Sequence, residues 1–320
     1  MVPYVLRRLG LFVVGLLVMT ALVFVILRVL PGDVAQVIAG IKATPEQIAQ
    51  IRLEYGLDRP MPVQYLDWLG GLFRLDLGQS LITRSPIAAE IGEKLAVTVP
   101  LCLLSMLLAL LIGVPLGVLG ALTHDSATGR IVNYLAQGAA AVPVLWTGLL
   151  LILLLGRGVG VIGVLPSQGF PTDGWVEPGA ALASLTLPAL TIGIVEGAVV
   201  LRFVRSALVA ELHHDYVRTA MSRGLTRPQA LVRHGLPNAG ISVLSVVSLQ
   251  TASLIGGAVV IEALFALPGL GSKLVADVGN RDLLAVQGII VFLTGLVLTI
   301  GLLIDITHRL IDPRQRRVSA

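Results

Sequence analysis

The sequence predicts an all-α integral membrane protein with six transmembrane helices. Hydrophobic residues make up 55% of the 320-residue chain and charged residues only 13%, whereas soluble domains carry roughly 25% charged residues. The mean hydropathy is +0.90. Six stretches stay apolar for about 20 residues, which is the helix length that crosses the hydrocarbon core of a bilayer. This composition speaks against a soluble enzyme.

The six predicted spans differ in how regular they are. Proline lies inside the second, third and fourth of them, at Pro115, Pro143 and Pro188. A span tolerates proline where neighbouring helices cover the carbonyl that it frees. Arg7 and Arg8 precede the first apolar run as they would in a signal peptide, but that run exceeds the usual 7–15 residues, so we expect an uncleaved helix. The spans are residues 9–30, 96–122, 131–155, 180–201, 239–264 and 283–303.

The distribution of basic residues predicts the orientation. With the N-terminus inside, the cytoplasmic parts hold thirteen Arg or Lys residues and the two short external loops hold three. Short cytoplasmic loops of membrane proteins carry such an excess. Both termini and residues 202–237 are therefore expected in the cytoplasm. Residues 31–95 are expected outside, where a long segment translocates largely regardless of its charge.

The external segment carries helix signals of its own. Thr44 and Gln47 form a capping box around Pro45, and Gly56 suits the end of that helix. A face of Ile48, Ile51 and Tyr55 follows, and a second amphipathic piece carries Val63, Leu66, Leu69 and Phe73. These helices are expected either to pack on the bundle as a scaffold or to dock an external partner.

The cytoplasmic stretch 206–237 is polar and contains several helix start and stop signals. The sequence predicts a helix over 206–223, a left-handed cap at Gly224, a capping box from Thr226 to Gln229, and a short helix that Pro237 ends. An ordinary Arg-rich loop needs no such caps. A stiff, exposed hairpin instead suits insertion into a groove on a partner protein.

The same stretch resembles a known motif. "DYVRTAMSRGLTRPQALVRHGLPNA" is similar to the cytoplasmic EAA loop of ABC importer permeases, in which EAA, three residues, Gly and nine residues precede I-x-L-P. Arg, Thr and His replace Glu, Ala and Ile, as in the dipeptide/oligopeptide/nickel branch. The resemblance implies ATPase-coupling roles for Asp215, Arg218, Thr219, Ala220, Gly224, Leu225, His234, Leu236 and Pro237.

The resemblance extends over essentially the whole chain, through "YVLRRLG", "LPGD", "LPALTIGI", "ALPGLGSKL" and "DPRQR". It implies the type I ABC importer permease fold in the bacterial inner membrane. The chain would then consist of three parts. Residues 1–95 hold the first transmembrane helix and the external segment, residues 96–310 form the permease domain with the coupling loop 206–237, and residues 311–320 form a cytoplasmic tail.

The family also implies partners. The chain would form half of a pathway for di- or oligopeptides, with nickel or another small solute as the alternative cargo. A second homologous permease, ATP-binding subunits, an extracytoplasmic substrate-binding protein and membrane lipid would be its partners. ATP and Mg²⁺ would bind to the ATPase subunits, because this chain has no GxxxxGK[ST] motif and "PGLGSK" at 268–273 lacks its order.

Polar residues inside the spans are candidates for the pathway. Glu196 lies well inside the fourth span, and Arg202 is about 240° away round the helix, so the two do not pair. An intramembrane acid is a functional candidate, although structural pairing is an alternative. Ser245, Gln250 and Thr251 of the fifth span serve either the pathway or helix packing.

Other functions have little support in the sequence. His213, His214 and Asp215 point to different faces of a helix, so we expect no metal site. We expect no catalytic residues, because no HExxH or nucleophile-elbow pattern occurs, and no nucleic-acid binding, because the basic residues are scattered between the spans. Cys102 suits a buried apolar position. A self-contained secondary transporter would show inverted repeats and several buried charges, and the sequence shows neither pattern. An intramembrane protease would need a nucleophile and a base paired inside the spans, and the sequence offers no convincing pair.

Overall fold

The computed structural model describes residues 2–29, 34–39, 43–54 and 56–311. The "LPGD" motif, Tyr55 and the tail beyond Ile311, including "DPRQR", lie outside the described residues.

Within this part of the chain the secondary structure is helical. Five helices (α1, α5, α8, α11 and α13) are long and apolar enough to cross a membrane, and α6 with α7 forms a bent sixth candidate. The elements are α1 Val2–Val29, α2 Val34–Ala39, α3 Pro45–Glu54, α4 Met61–Phe73, α5 Ile87–Leu122, α6 Ala127–Ala141, α7 Val144–Leu155, α8 Pro178–Glu211, α9 Asp215–Ser222, α10 Arg227–Ala230, a π turn over Leu231–Gly235, α11 Leu236–Leu264, α12 Leu270–Gly279 and α13 Leu283–Ile311.

The third predicted span is not one helix running through its proline. α6 and α7 meet at an angle of 104°, and Val142 and Pro143 between them have extended backbone conformations. Pro143 has no N–H and its ring would clash with a preceding carbonyl, so the helix breaks. Pro115 and Pro188, by contrast, remain inside α5 and α8.

The chain forms two compact units. The first, called here the outer unit, comprises Met1–Ala96 and Ser272–Leu302. Both predicted caps of α3 are confirmed there: the Thr44 N–H donates to Gln47 Oε1 at 3.0 Å, and Gly56 has a φ of +61°. The predicted second amphipathic helix is also present, as α4.

α4 packs against α1 within the outer unit. Phe24 of α1 meets Tyr65 edge-on at 5.5 Å between ring centroids and stacks on Trp68 at 5.8 Å. The hydroxyls of Thr20 and Tyr65 are hydrogen-bonded at 3.0 Å. α4 thus has a scaffold role through its aromatic residues, while Val63, Leu66 and Phe73 are exposed.

The second unit, called here the permease unit, comprises Val97–Gly271 and Leu303–Ala320. α8 is central to it and contacts α6, α7 and α11. Gly113 and Gly117 of α5 let that helix approach α8, because a Cβ on either would lie 2.7 Å from the Cβ of Val200 or Val204. Small residues at helix interfaces commonly permit such close packing in membranes.

Candidate functional site

The cytoplasmic hairpin, defined here as residues 212–237, connects α8 to α11 in the permease unit. The predicted continuous helix over 206–223 is wrong. α8 ends at Glu211, a turn follows, and α9 begins at Asp215. His214 has an extended conformation at the N-cap of α9, and Asp215 places a carboxylate in its first turn. A negative charge there interacts favourably with the helix dipole, so local capping starts a new helix.

α9 ends as the sequence predicts. Gly224 has a φ of +98°, its N–H donates to the Met221 carbonyl at 3.0 Å, and the Leu225 N–H donates to the Ala220 carbonyl at 3.3 Å. This pair of bonds is a Schellman motif, in which a left-handed glycine satisfies the last carbonyls of a helix. Leu225 also packs with Ala220 in one apolar cluster, as the motif commonly requires.

The predicted capping box of α10 is confirmed. The Thr226 side chain accepts from the backbone of Gln229, and the Gln229 side chain accepts from the Thr226 N–H at 3.0 Å. Pro228 lies in the first turn, where its missing N–H costs nothing. Local capping bonds therefore fix the conformation of the hairpin on both sides of Gly224.

Pro237 does not end the second short helix, contrary to prediction. α10 passes into the π turn Leu231–Gly235 and then directly into α11, with Pro237 in the first turn of α11. The Leu236 N–H donates to the Leu231 carbonyl, five residues back. The wider π turn makes room for the proline ring, so the hairpin continues into a membrane helix without a break.

One side of the hairpin is buried and the other is exposed. Val217, Ala220, Ala230 and Leu231 join Leu208 of α8 in a single buried cluster. Of the predicted coupling residues, Ala220 is buried, Leu225 and Leu236 are half-buried, and the exposed ones are Asp215, Arg218, Thr219, Gly224, His234 and Pro237.

A contact that the sequence analysis missed braces the hairpin. The Arg227 guanidinium lies 3.2 Å from His124 Nδ1 and 3.9 Å from the Asp125 carboxylate, in the turn between α5 and α6. His124 Nε2 is itself 3.0 Å from Asp125. The adjacent His124 and Asp125 at the end of a predicted span indicate a polar contact there. The sequence could not identify Arg227 as the partner, because it lies 103 residues from His124.

The structure brings together two of the four pathway candidates. Gln250 of α11 donates a hydrogen bond to the Glu196 carboxylate of α8. Both Glu196 and Gln250 are buried. The Thr251 hydroxyl donates instead to the Val247 carbonyl of its own helix at 2.8 Å, and Ser245 is exposed.

Glu262, near the end of the fifth predicted span, is a second buried acid that the sequence analysis did not single out. It is 0% exposed. Its carboxylate accepts from the Thr98 hydroxyl at 2.6 Å and from the Gly271 N–H at 2.7 Å. Thr98 in turn accepts from the Leu270 N–H at 2.8 Å. Glu262 thereby fixes the start of α12.

No group of three or more His, Cys, Asp or Glu side chains converges as metal ligands in the described part of the chain. His213 Nδ1 donates to the Val209 carbonyl of α8 at 2.9 Å, and Asp215 lies in the first turn of α9.

Two families match the sequence. The family described as "Binding-protein-dependent transport system inner membrane component" matches residues 113–317, and the corresponding N-terminal family matches residues 1–102. A Brucella abortus (strain 2308) protein named as a peptide transport system permease is 38% identical over 320 residues, 99% of each chain. The dipeptide transport system permease protein DppB of Escherichia coli (strain K12) is 34% identical over 340 residues, again 99% of each.

The fold is similar to that of a solved transporter. A chain of the methionine ABC transporter MetNI, in an inward-facing conformation, superposes with a TM-score of 0.56 at 19% identity, over 69% of this chain and 96% of that one.

Proposed function

Because the chain belongs to the family of binding-protein-dependent transport system inner membrane components, we propose that its cytoplasmic hairpin couples ATP hydrolysis in partner subunits to peptide passage. The chain is a non-catalytic permease subunit that spans the bacterial inner membrane several times. ATPase subunits and an extracytoplasmic binding protein are its partners in such an importer.

The observation that carries the coupling proposal is the hairpin's two-sided construction. Its exposed side offers Arg218, Thr219 and His234 to a partner. Its buried side is packed into the cluster that contains Leu208 of α8, and its end continues into α11 without a break. Packed elements move as rigid bodies, so a force on the exposed side reaches both membrane helices.

The remaining parts of the transporter lie outside this chain. In our proposal ATP and Mg²⁺ bind to the ATPase subunits, and a second, similar permease completes the pathway. Peptide is the proposed cargo because the relatives are named as peptide and dipeptide permeases. Glu196 and Gln250 are its proposed pathway residues, since a carboxylate with an amide partner suits a peptide ammonium. Ser245 and Thr251 are weaker candidates on the same helix.

Replacing Gly224 tests the coupling role. Nothing lies within 4 Å of an added Cβ there, so Gly224→Val acts only through its positive φ, which costs a β-branched residue more than about 1–2 kcal/mol. We expect the cap to open and dipeptide uptake to fall at least about tenfold, since tenfold corresponds to 1.36 kcal/mol. The effect is measured as dipeptide uptake and as dipeptide-stimulated ATPase activity, both with the complete transporter in proteoliposomes.

The matched control is Gly138→Val in α6, where an added Cβ also meets nothing within 4 Å and φ is not positive. It should transport normally. Full uptake by an assembled Gly224→Val transporter would refute the coupling role, whereas loss of uptake with the ATPase subunits still bound supports it.

A further inference from the structure

The outer unit contains a cavity that the coupling function does not use. It has a volume of about 400 Å³ and lies between the end of α1, α4, the loop before α5 and the start of α13. Ligand pockets measure roughly 300–1,000 Å³. The predicted orientation places this cavity on the outer side of the membrane, because it is built from the external segment and from the outer ends of the first and last spans.

Two amide atoms of residues in the cavity wall are buried without a hydrogen-bond partner among the described residues, one on the buried Gln287 and one on the half-buried Gln64. Gln287 is 5% exposed, and its Nε2 has no partner among the described residues; the same holds for Gln64 Oε1. The other end of Gln64 is held in place, because its Nε2 donates to the carbonyls of Leu57 at 3.1 Å and Arg59 at 2.7 Å. Buried polar atoms are normally paired, so these two atoms point to a ligand that brings both an acceptor and a donor.

Charges of both signs line the same cavity. The Arg28 guanidinium lies over the Phe24 ring at 5.2 Å. Asp76 accepts from the Gly78 N–H at 2.8 Å through one carboxylate oxygen, which holds it in the wall. Arg59 and Asp67 form an exposed ion pair at 3.1 Å. A wall with a cation, an anion, a free donor and a free acceptor is complementary to a zwitterion rather than to a simple anion.

The remaining wall is apolar. Phe24 and Trp68 stack at 5.8 Å between ring centroids, and both line the cavity. Aromatic surfaces of this kind offer a large, rigid area for an apolar side chain. A pocket that pairs such a surface with a few convergent polar groups is typical of small-molecule binding.

We propose that this cavity binds a short zwitterionic peptide on the outer side of the membrane. The peptide carboxylate bonds Arg28 and Gln287 Nε2, its ammonium lies towards Asp76 and Gln64 Oε1, and a side chain packs on Trp68. The choice of a peptide over other zwitterions rests on the proposed cargo. The geometry of the cavity stands independently of the cytoplasmic hairpin.

Calorimetric titration of the purified full-length chain in nanodiscs tests the site. The probes are dialanine, its N-acetylated amide without either charge, inorganic phosphate and glycerophosphoethanolamine. We expect dialanine alone to bind. Because a lost charge-assisted hydrogen bond weakens binding about tenfold or more, Arg28→Gln and Gln287→Leu should each weaken dialanine binding about tenfold.

Two further results separate binding from folding. Arg84→Gln, an equal charge change at an exposed position of the same segment, should bind dialanine normally. Gln287→Leu should leave the thermal midpoint of the unliganded chain unchanged or raise it, because the amide that it removes is buried with an unpaired donor.

The proposal is overturned if no probe binds, if both pocket variants bind dialanine like the wild type, or if phosphate or glycerophosphoethanolamine binds as well, which would indicate a lipid headgroup site. A Gly224→Val chain distinguishes this proposal from the coupling proposal. Its hairpin is altered but its cavity is intact, so it should still bind dialanine whether or not the hairpin couples transport.

Discussion

Glu196 and Glu262 are both buried carboxylates on long apolar helices of the permease unit, but their surroundings differ. Glu262 is held by a backbone N–H and by a threonine that itself accepts from the backbone. Glu196 is held by the side chain of Gln250. The partners of Glu262 are the start of α12 and a threonine of α5 that is bonded to the same helix start, whereas Glu196 is held by a side chain that can rotate away.

This difference separates a structural acid from a candidate functional one. A buried carboxylate is costly unless it is hydrogen-bonded. Glu262 has one donor fixed in the backbone, the Gly271 N–H, and a second, the Thr98 hydroxyl, that is itself held by the Leu270 N–H. Gly269 and Gly271 are small enough to let the chain pass directly over that carboxylate, which a Cβ at Gly269 would overlap. A side-chain donor such as that at Glu196 can be exchanged for a passing ligand, which is what a transport pathway requires.

The largest effect is expected for Glu262→Ala. The substitution leaves the Thr98 hydroxyl and the Gly271 N–H without their acceptor, and unpaired buried donors cost about 1–3 kcal/mol each. We therefore expect the chain to lose about 3 kcal/mol or more of stability, measured by thermal unfolding in detergent. Glu93→Ala, at an acid whose side chain is 74% exposed, should stay within about 0.5 kcal/mol. Equal midpoints for the two variants would contradict the structural role.

An intermediate effect is expected for Thr98→Val. Valine matches threonine in shape but cannot donate to Glu262 or accept from the Leu270 N–H. Glu262 keeps the Gly271 N–H as a donor, so the group left unpaired is the Leu270 N–H. The expected cost is about 1–3 kcal/mol, the penalty for one unpaired buried group, in the same unfolding measurement. Thr98→Ser keeps the hydroxyl and should lose less stability than Thr98→Val. A serine variant as unstable as the valine variant would mean that packing, not hydrogen bonding, matters at this position.

The sequence predicts the helices of this protein better than it predicts the joints between them. Apolar length was enough to locate the spans, and capping chemistry was enough to locate Gly224 and the box at Thr226. The turn before Asp215 and the passage through Pro237 were missed. In the first case a new helix starts at the N-cap His214, and in the second a π turn accommodates the proline. Hydrophobic periodicity shows neither of these local backbone changes.

Long-range partners could not be predicted at all. Thr98 and Glu262 are 164 residues apart, and Arg227 lies 103 residues from His124. Glu196 was recognisable because it interrupts an apolar run, whereas Glu262 lies close to the end of a predicted span and was not singled out. Only the fold shows that it is 0% exposed and surrounded by donors.

The smallest effect on stability is expected for Glu196→Gln. The amide oxygen of the new residue can still accept from Gln250, so the unfolding free energy should change by less than about 1 kcal/mol, the value of one ordinary hydrogen bond. Dipeptide uptake by the complete transporter should nevertheless fall about tenfold, since 1.36 kcal/mol of lost charge interaction corresponds to that factor.

The double variant Glu196→Gln, Gln250→Glu returns the charge to the same pair from the opposite helix. Recovery of uptake in the double variant would mean that the charge itself acts in the pathway. A stability loss in Glu196→Gln as large as that of Glu262→Ala would instead make both acids structural, and the distinction between them would fail.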